Sequence, residues 1–173
     1  MKSIRFYQVI LFCMFAIMGI GSFFLDRNIS PHTNHPYAKS FNFVLRYGYG
    51  VGAKNELHTF DGTFTRDMIL DPPITVDLSL SDVDLERIYQ KMLEIGLFDY
   101  PENVPPASDF GVTPCEEFYI RVQSNSEIKE VSWDATLMFG RNNGLKDLFE
   151  SIMNALESNQ VYRNLPSPRG GYI

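Results

Sequence analysis

Cysteine and histidine are scarce in this chain, which has two cysteines and three histidines among its 173 residues. Cys13 lies in an apolar run near the N-terminus, so the part that follows this run contains a single thiol, Cys115. One thiol cannot form an intrachain disulfide. We therefore expect this part to be held together by packing alone, and we predict no metal site and no cofactor.

Positive charge is also sparse beyond the N-terminus. Between Phe41 and Arg163 the chain has 20 acidic and 10 basic residues, a net charge of −10. An acidic segment without a stripe of Lys and Arg interleaved with aromatic residues repels phosphate backbones, so nucleic acid is excluded as a partner. The 45% of hydrophobic and 14% of aromatic residues exclude a disordered chain. The length indicates one domain with a short attachment.

The N-terminus predicts this attachment. The run from Phe6 to Leu25 has no acidic or basic residue, and as a helix it would be about 30 Å long, the thickness of the hydrocarbon core of a bilayer. Lys2 and Arg5 precede the run, which places the N-terminus in the cytoplasm and the rest of the chain outside. Residues 1–25 are thus predicted to be a single-pass signal-anchor in the cell membrane, with residues 6–25 crossing it.

A cleaved signal peptide is the alternative, because Gly19 and Gly21 are small residues of the kind that precede a cleavage site. The apolar run continues through Leu25, which favours the uncleaved anchor, but a secreted protein remains open. Residues 26–40 are polar, contain Pro31 and Pro36 and show no periodicity, so they are predicted to be a linker.

From Phe41 the chain shows the alternation of β-strands. Residues from Phe41 to Gly50 alternate with period two, and Asp61-Gly62 predicts a hairpin turn with a positive φ at the glycine. Pro72-Pro73 is expected to interrupt the β-structure before another strand at 74–80. Two further strands follow, joined by a turn at 124–126. The apolar residues are at even positions in the first of them and at odd positions in the second.

Two segments have helical periodicity. Ser81 is the expected N-cap of the first helix and Gly96 the residue after its C-cap, while Gly144 precedes a second helix whose apolar face ends at Leu156. The predicted class for residues 41–163 is α+β, with a mainly antiparallel sheet and both helices on one face. Residues 164–173 are expected to be an irregular tail.

Several segments also resemble known proteins. The segments FDGTFT, LSLSDVDLERIYQKMLEIGLFDYP, YIRV and EVSWD, with the aromatic first strand and the final Leu-rich helix, resemble small membrane-anchored or secreted proteins of unknown function from Gram-positive bacteria. Their order is similar to the layout of emfourin-type metalloprotease inhibitors. The resemblance spans residues 41–163 and implies a domain without catalysis. Inhibition of an extracellular metalloprotease is thus one alternative function, and no functional residue can be carried over.

The glycine-rich segment after the first strand is the candidate binding site. Residues 48–53 match G-x-G-x-x-A, but no helix follows, so the pattern predicts a hairpin loop rather than a dinucleotide site. Accessible backbone and neighbouring aromatic rings are typical of binding surfaces. The predicted binding residues are Tyr47, Tyr49, Gly50, Val51, Gly52 and Lys54. The alternative is that both tyrosines face the core, as their shared parity with Phe41 favours.

Two further sets of residues could support catalysis or bind a metal ion. Cys115 and His58, with Asp61 as an orienting group, are the elements of a cysteine-dependent hydrolase, although their spacing matches no such motif. The acidic residues around the central loop offer oxygen ligands for calcium but lack the order of an EF-hand; they are Asp99, Glu102, Asp109, Glu116 and Glu117. We predict no catalytic residue, and expect a membrane-tethered extracytoplasmic binding or accessory domain for a protein partner.

Overall fold

Alternating apolar and polar residues form the strands of the sheet. A computed structural model describes residues 41–49, 53–107, 115–139 and 143–172, all of which belong to one compact unit. The strands are β1 (Phe41–Tyr49), β2 (Asn55–His58), β3 (Thr63–Met68), β4 (Asp71–Asp77), β5 (Glu116–Ser124) and β6 (Glu127–Asp134). The predicted signal-anchor and linker lie outside the described residues. Among those described, no helix is both long and apolar enough to cross a membrane.

The sheet is antiparallel throughout its described strands, with the order β4-β3-β2-β1-β5-β6. β1 lies inside the sheet, where Leu45 is opposite Leu57 of β2 and Ile120 of β5. Hairpins join successive strands in each half, which is why the pairing is antiparallel. The predicted α+β class and antiparallel sheet are confirmed.

The strand β4 corrects one expectation. Pro72 and Pro73 were expected to break the chain, but both lie within β4, at one edge of the sheet. Successive N–H groups of a strand point to opposite sides, so only one of the two prolines can face outward. The pairing register shifts here, because Pro72 and Pro73 lie between the pairs Met68–Asp71 and Arg66–Ile74, and an edge strand tolerates proline at such an irregularity.

The first helix begins and ends at the predicted residues, whereas the second begins at Gly144 itself, which was expected to lie just before it. In α1 (Asp82–Glu94), the Ser81 side chain accepts a hydrogen bond from the Asp84 N–H at 3.2 Å, and Gly96 has a φ of 66° just beyond the C-cap. In α2 (Gly144–Ser158), Asn143 is the N-cap and accepts from the Leu145 N–H at 3.0 Å. A third helix, the short α3 (Gln160–Arg163), follows directly after α2.

Both long helices pack on the same face of the sheet. Ile88 and Met92 of α1 and Leu148 and Ile152 of α2 are fully buried in one hydrophobic cluster. The strand residues of this cluster all lie on one face; they are Phe41, Phe43, Leu45, Tyr47, Leu57, Phe64, Phe118, Ile120, Val122, Val131 and Trp133. The opposite face, called the helix-free face below, therefore carries the alternate residues of each strand and has no helix over it among the described residues.

The hairpin turns differ in length. Gly62 has the predicted positive φ, 65°, but it ends a four-residue connection from Thr59, since His58 pairs with Thr63. The β5–β6 hairpin has only Asn125 and Ser126 between its strands, and the φ of Asn125 is 55°. Asparagine tolerates this left-handed conformation better than most residues.

Candidate functional site

The predicted binding residues lie at the end of β1 in different environments. Tyr47 is 9% exposed and packs edge-on against Phe149 of α2, with ring centroids 5.3 Å apart. Tyr49 has the same parity but is 45% exposed, because it lies at the last position of the strand. Lys54 is exposed, and residues 50–52 lie outside the described part of the chain. Of this set, Tyr49 and Lys54 are accessible to a partner.

Burial governs the chemistry of the Tyr47 hydroxyl. Burial and then the neighbouring Tyr162 hydroxyl raise the pKa of Tyr47 well above its usual value. The pKa of Glu116, which pairs with Tyr49 across β1 and β5, is also raised by partial burial. Tyr47 is therefore a neutral core residue at ordinary pH, and it offers no charge to a ligand.

The residues of the alternative hydrolase are not brought together. His58 pairs with Val44, and its Nδ1 lies 3.2 Å from the Asp61 carboxylate. Cys115 directly precedes Glu116, whose partner is Tyr49. Val44 and Tyr49 are five residues apart on β1. At about 3.3 Å per residue, roughly 17 Å along the strand therefore separates the position of His58 from that of Cys115. A thiolate and an imidazole must be within hydrogen-bond distance to act together.

The acidic residues around the central loop are similarly dispersed. In the described residues, no group of three or more His, Cys, Asp or Glu side chains converges in a geometry that would hold a metal ion. Asp109 lies outside these residues. Glu116 is on the core side of β5, and Glu117 is on the opposite side.

The helix-free face carries charges and aromatic rings in cross-strand pairs. Arg46 forms an ion pair with Glu56 at 2.5 Å, and its guanidinium lies 5.6 Å from the centre of the Tyr119 ring. Arg121 forms a longer ion pair with Glu130, at 3.4 Å. Burial and the Glu130 carboxylate raise the pKa of Tyr119, so its hydroxyl remains a donor. These strands thus present a surface of arginines, carboxylates and one tyrosine.

An open groove of about 370 Å³ lies on this surface. One of its walls is the segment 102–104, which pairs with β6 through Ser132: the Ser132 N–H donates to the Glu102 carbonyl at 2.6 Å, and the Val104 N–H donates to the Ser132 carbonyl at 2.9 Å. The residues around the groove come from five parts of the chain; they are Arg46, Ala53, Asn103, Val104, Glu117, Phe118, Tyr119, Ser132, Trp133 and Asp134. The fold thus assembles a polar depression from distant segments.

Two carboxylates at this groove have no counter-ion among the described residues. Glu117 and Asp134 are directly opposite each other on β5 and β6. Asp134 accepts hydrogen bonds from the backbone N–H and the hydroxyl of Thr136, but neither carboxylate forms an ion pair with any described residue. Like charges directly opposite on a sheet are destabilising. This pair gives the groove a negative potential.

The charge of the whole face has the same sign. Its strands carry five carboxylates and two guanidinium groups, a net charge of −3; they are Glu56, Asp77, Glu117, Glu130, Asp134, Arg46 and Arg121. No sequence motif marks these residues as a site, although their alternation with core positions places them on a second face. Period-two alternation identifies the face of each strand, but it does not show which strands are neighbours.

A second open groove, of about 590 Å³, lies at the other end of the sheet. It includes Tyr89, Leu93, Phe98 and Ser124. Its buried Ser124 hydroxyl is within 3.5 Å of the Tyr89 hydroxyl, so these polar groups are paired inside the protein. The lining of this groove also includes Glu127, which is opposite Ser124, so it has no facing pair of carboxylates like Glu117 and Asp134.

Comparisons of the chain with protein-family models and with curated proteins find no match. The interpretation of its function accordingly rests on the site itself.

Proposed function

We propose that this chain is a membrane-tethered extracytoplasmic binding domain without catalytic activity, and that it binds a protein partner at the helix-free face. The observation that carries the proposal is the groove with Glu117 and Asp134, two facing carboxylates that form no ion pair with any described residue. Like charges that face each other reduce stability, and functional sites commonly carry such a cost in stability. A partner with lysine or arginine side chains would neutralise them.

The rest of the surface supports a protein partner. Arg46 and Tyr119 flank the carboxylates, and arginine and tyrosine are the residue types that contribute most to protein interfaces. Electrostatic attraction by a face of net charge −3 would increase the association rate with a basic partner. The distance between Cys115 and His58 favours binding over the hydrolase alternative.

The tether rests on the N-terminal sequence. The apolar run Phe6 to Leu25 has the length of a membrane span and follows Lys2 and Arg5. The predicted linker would then connect the membrane to Phe41, the first residue of β1.

Photo-crosslinking in the native cells tests the binding surface. We would place benzoylphenylalanine at Tyr119 in the full chain, and at Val83 as the control, because Val83 is 68% exposed on α1, away from the groove. We expect a discrete adduct from position 119 that is lost when Glu117→Gln and Asp134→Asn are added. No adduct at 119, or an equal adduct at 83, would overturn the binding proposal.

Thiol labelling tests the topology independently. Cys13 and Cys115 would be changed to Ser, and the exposed Lys54 to Cys. A membrane-impermeant maleimide should label the intact cells. Labelling that requires lysis would contradict an extracytoplasmic domain, and labelled protein in the medium would indicate secretion after cleavage.

A further inference from the structure

The C-terminal tail, residues 164–172, lies on the turn between β3 and β4. Near its end, Tyr172 contacts Tyr49 of β1. Residues 164–172 form no helix or named strand, yet they contact the rest of the chain at several points. The Arg66 guanidinium donates to the carbonyls of Leu165 and Pro166, at 3.3 Å each. Further along, Arg169 forms an isolated parallel bridge with Ile69. The tail is therefore seated on the domain at defined positions.

Arg169 is the first specific contact of the tail. Its Nε and Nη2 atoms donate to both oxygens of Asp71, at 2.8 and 2.6 Å. This two-pronged geometry matches the planar guanidinium to the planar carboxylate, and lysine would not reproduce it. Gly170, with a φ of 93°, follows immediately and lies against Leu70.

Tyr172 is the second specific contact. Its hydroxyl donates to the Asp67 carboxylate, and its ring stacks on Tyr49 with centroids 5.3 Å apart and planes 29° apart. Asp67 is 5% exposed, and its other oxygen accepts from the Ile69 N–H at 3.0 Å. If Tyr172 left, a buried carboxylate oxygen would lose its donor, and buried acceptors need partners.

The turn that receives the tail is strained. Ile69 has a φ of 64°, a left-handed conformation that is unusual for a β-branched residue. Its N–H is held by Asp67, and the Leu70 N–H donates to the Met68 carbonyl at 2.8 Å. Strain of this kind persists where the surroundings enforce it, and it is common at ligand clamps.

The side chains of the tail remain largely exposed to solvent while they make these contacts. The Arg169 side chain is 73% exposed, and residues 166–172 are all exposed. Exposed ion pairs add little to stability. An exposed peptide that contacts a polar surface mainly through two side chains can be displaced by a peptide that makes the same two contacts.

We propose that the surface formed by Tyr49, Asp67, Leu70 and Asp71 is a peptide-binding site whose resident ligand is the chain's own tail. The external ligand is a peptide segment with an arginine and, three residues later, a tyrosine, separated by small residues. The arginine pairs with Asp71, and the tyrosine reaches Asp67 and stacks on Tyr49. Because the tail is tethered at an effective concentration in the millimolar range, it competes with such a peptide.

Two glycine variants of the full chain test this proposal. A Cβ at position 170 would lie 2.8 Å from the Leu70 Cγ and would have to adopt a positive φ, whereas a Cβ at position 171 has nothing within 4 Å. Gly170→Ala should therefore displace the tail, and Gly171→Ala should not. The probe is a fluorescent peptide with the sequence of residues 164–173, and binding is measured by fluorescence anisotropy.

We expect Gly170→Ala to bind the peptide on the order of tenfold more tightly than Gly171→Ala, because the resident tail no longer competes. Adding Asp71→Asn to the Gly170→Ala chain should remove this gain. A peptide in which the arginine is replaced by alanine should bind neither chain.

A chain that ends at Pro168 is the second variant, since it lacks Arg169 and Tyr172 altogether. Far-UV circular dichroism would establish that it is folded, and the peptide should raise its Tm in a concentration-dependent way. If the folded short chain and the Gly170→Ala chain both bind the peptide no better than Gly171→Ala does, the proposal is wrong. This result would leave the crosslinking test of the helix-free face unaffected.

Discussion

Glu117 and Asp134 face each other across β5 and β6, at the groove of the helix-free face. Neighbouring cross-strand pairs on this face, Arg46 with Glu56 and Arg121 with Glu130, join opposite charges. The pair at the groove is thus the exception to these complementary pairs. A substitution that removes the repulsion should therefore increase stability and decrease binding.

Glu117→Lys should stabilise the domain by about 0.2 to 1 kcal/mol, because it replaces a like-charge pair with an opposite-charge pair. Under the proposed function, the same variant should lose the crosslinked adduct from position 119. Urea denaturation measures the first effect. Glu56→Lys is the matched control on the same face, and it should destabilise the domain because it removes the partner of Arg46. A destabilised Glu117→Lys chain would contradict the electrostatic argument.

Gly62→Val should reduce the free energy of unfolding by about 1 to 3 kcal/mol, because a β-branched residue is strained at a φ of 65°. A Cβ at this position would also lie 2.8 Å from the Ser79 Oγ. In a Ser79→Ala background the cost should be smaller, since the close contact is gone but the backbone strain remains. Equal costs in both backgrounds would show that the contact is relieved by movement of Ser79.

Asn55→Ala should destabilise the domain by about 1 to 3 kcal/mol through loss of two hydrogen bonds. The Asn55 side chain connects β1 and β3: its Nδ2 donates to the Tyr47 carbonyl, and its Oδ1 accepts from the Asp67 N–H, each at 3.1 Å. Asn55→Asp keeps the acceptor but loses the donor, and should have an intermediate effect in urea denaturation. A chain as stable as the wild type would show that water replaces both bonds.

Glu116 predicts a dependence of stability on pH. Burial raises the pKa of its carboxyl in the folded chain above the ordinary value of 4.5, so the folded state holds the proton more tightly than the unfolded state does. The contribution of Glu116 to stability is present in full below the unfolded pKa and is lost as pH rises through the folded pKa.

The stability of the wild type relative to Glu116→Gln should therefore fall as pH increases from about 4 to 7. Urea denaturation of both chains at several pH values measures this difference. A difference that stays constant, or grows with pH, would show that Glu116 is not held in the less charged form.

Some features follow from local sequence alone. The alternation of Phe41, Phe43 and Leu45 predicts a half-buried strand, and Ser81 and Gly96 mark the two ends of α1 because capping depends on the residues nearest to a helix terminus. The positive φ of Gly62 was predictable for the same reason. Periodicity and capping are short-range properties, so the α+β class is contained in the sequence pattern.

Other features needed the tertiary structure. Parity assigns Tyr47 and Tyr49 to the same face, but Tyr47 packs under α2, while Tyr49 lies at the end of the strand and stacks on a residue 123 positions later in the sequence, Tyr172. No local signal predicts this contact. The tail at 164–172 is irregular as expected, yet its docking depends on Asp67, Ile69 and Asp71, which it reaches only once β3 and β4 have paired.

The sequence by itself determined the two long helices, the alternation of the strands around β1 and β5, the acidic character of the domain and the apolar N-terminal run. It did not determine that Pro72 and Pro73 lie within β4. Only the tertiary structure decided that Glu117 faces Asp134, that His58 and Cys115 lie beside different ends of β1, and that Tyr172 stacks on Tyr49. The physical reason is the range of the interactions. Side-chain periodicity and capping are set within a few residues, whereas strand pairing brings together segments distant in sequence, through a register that is fixed when the whole core is packed.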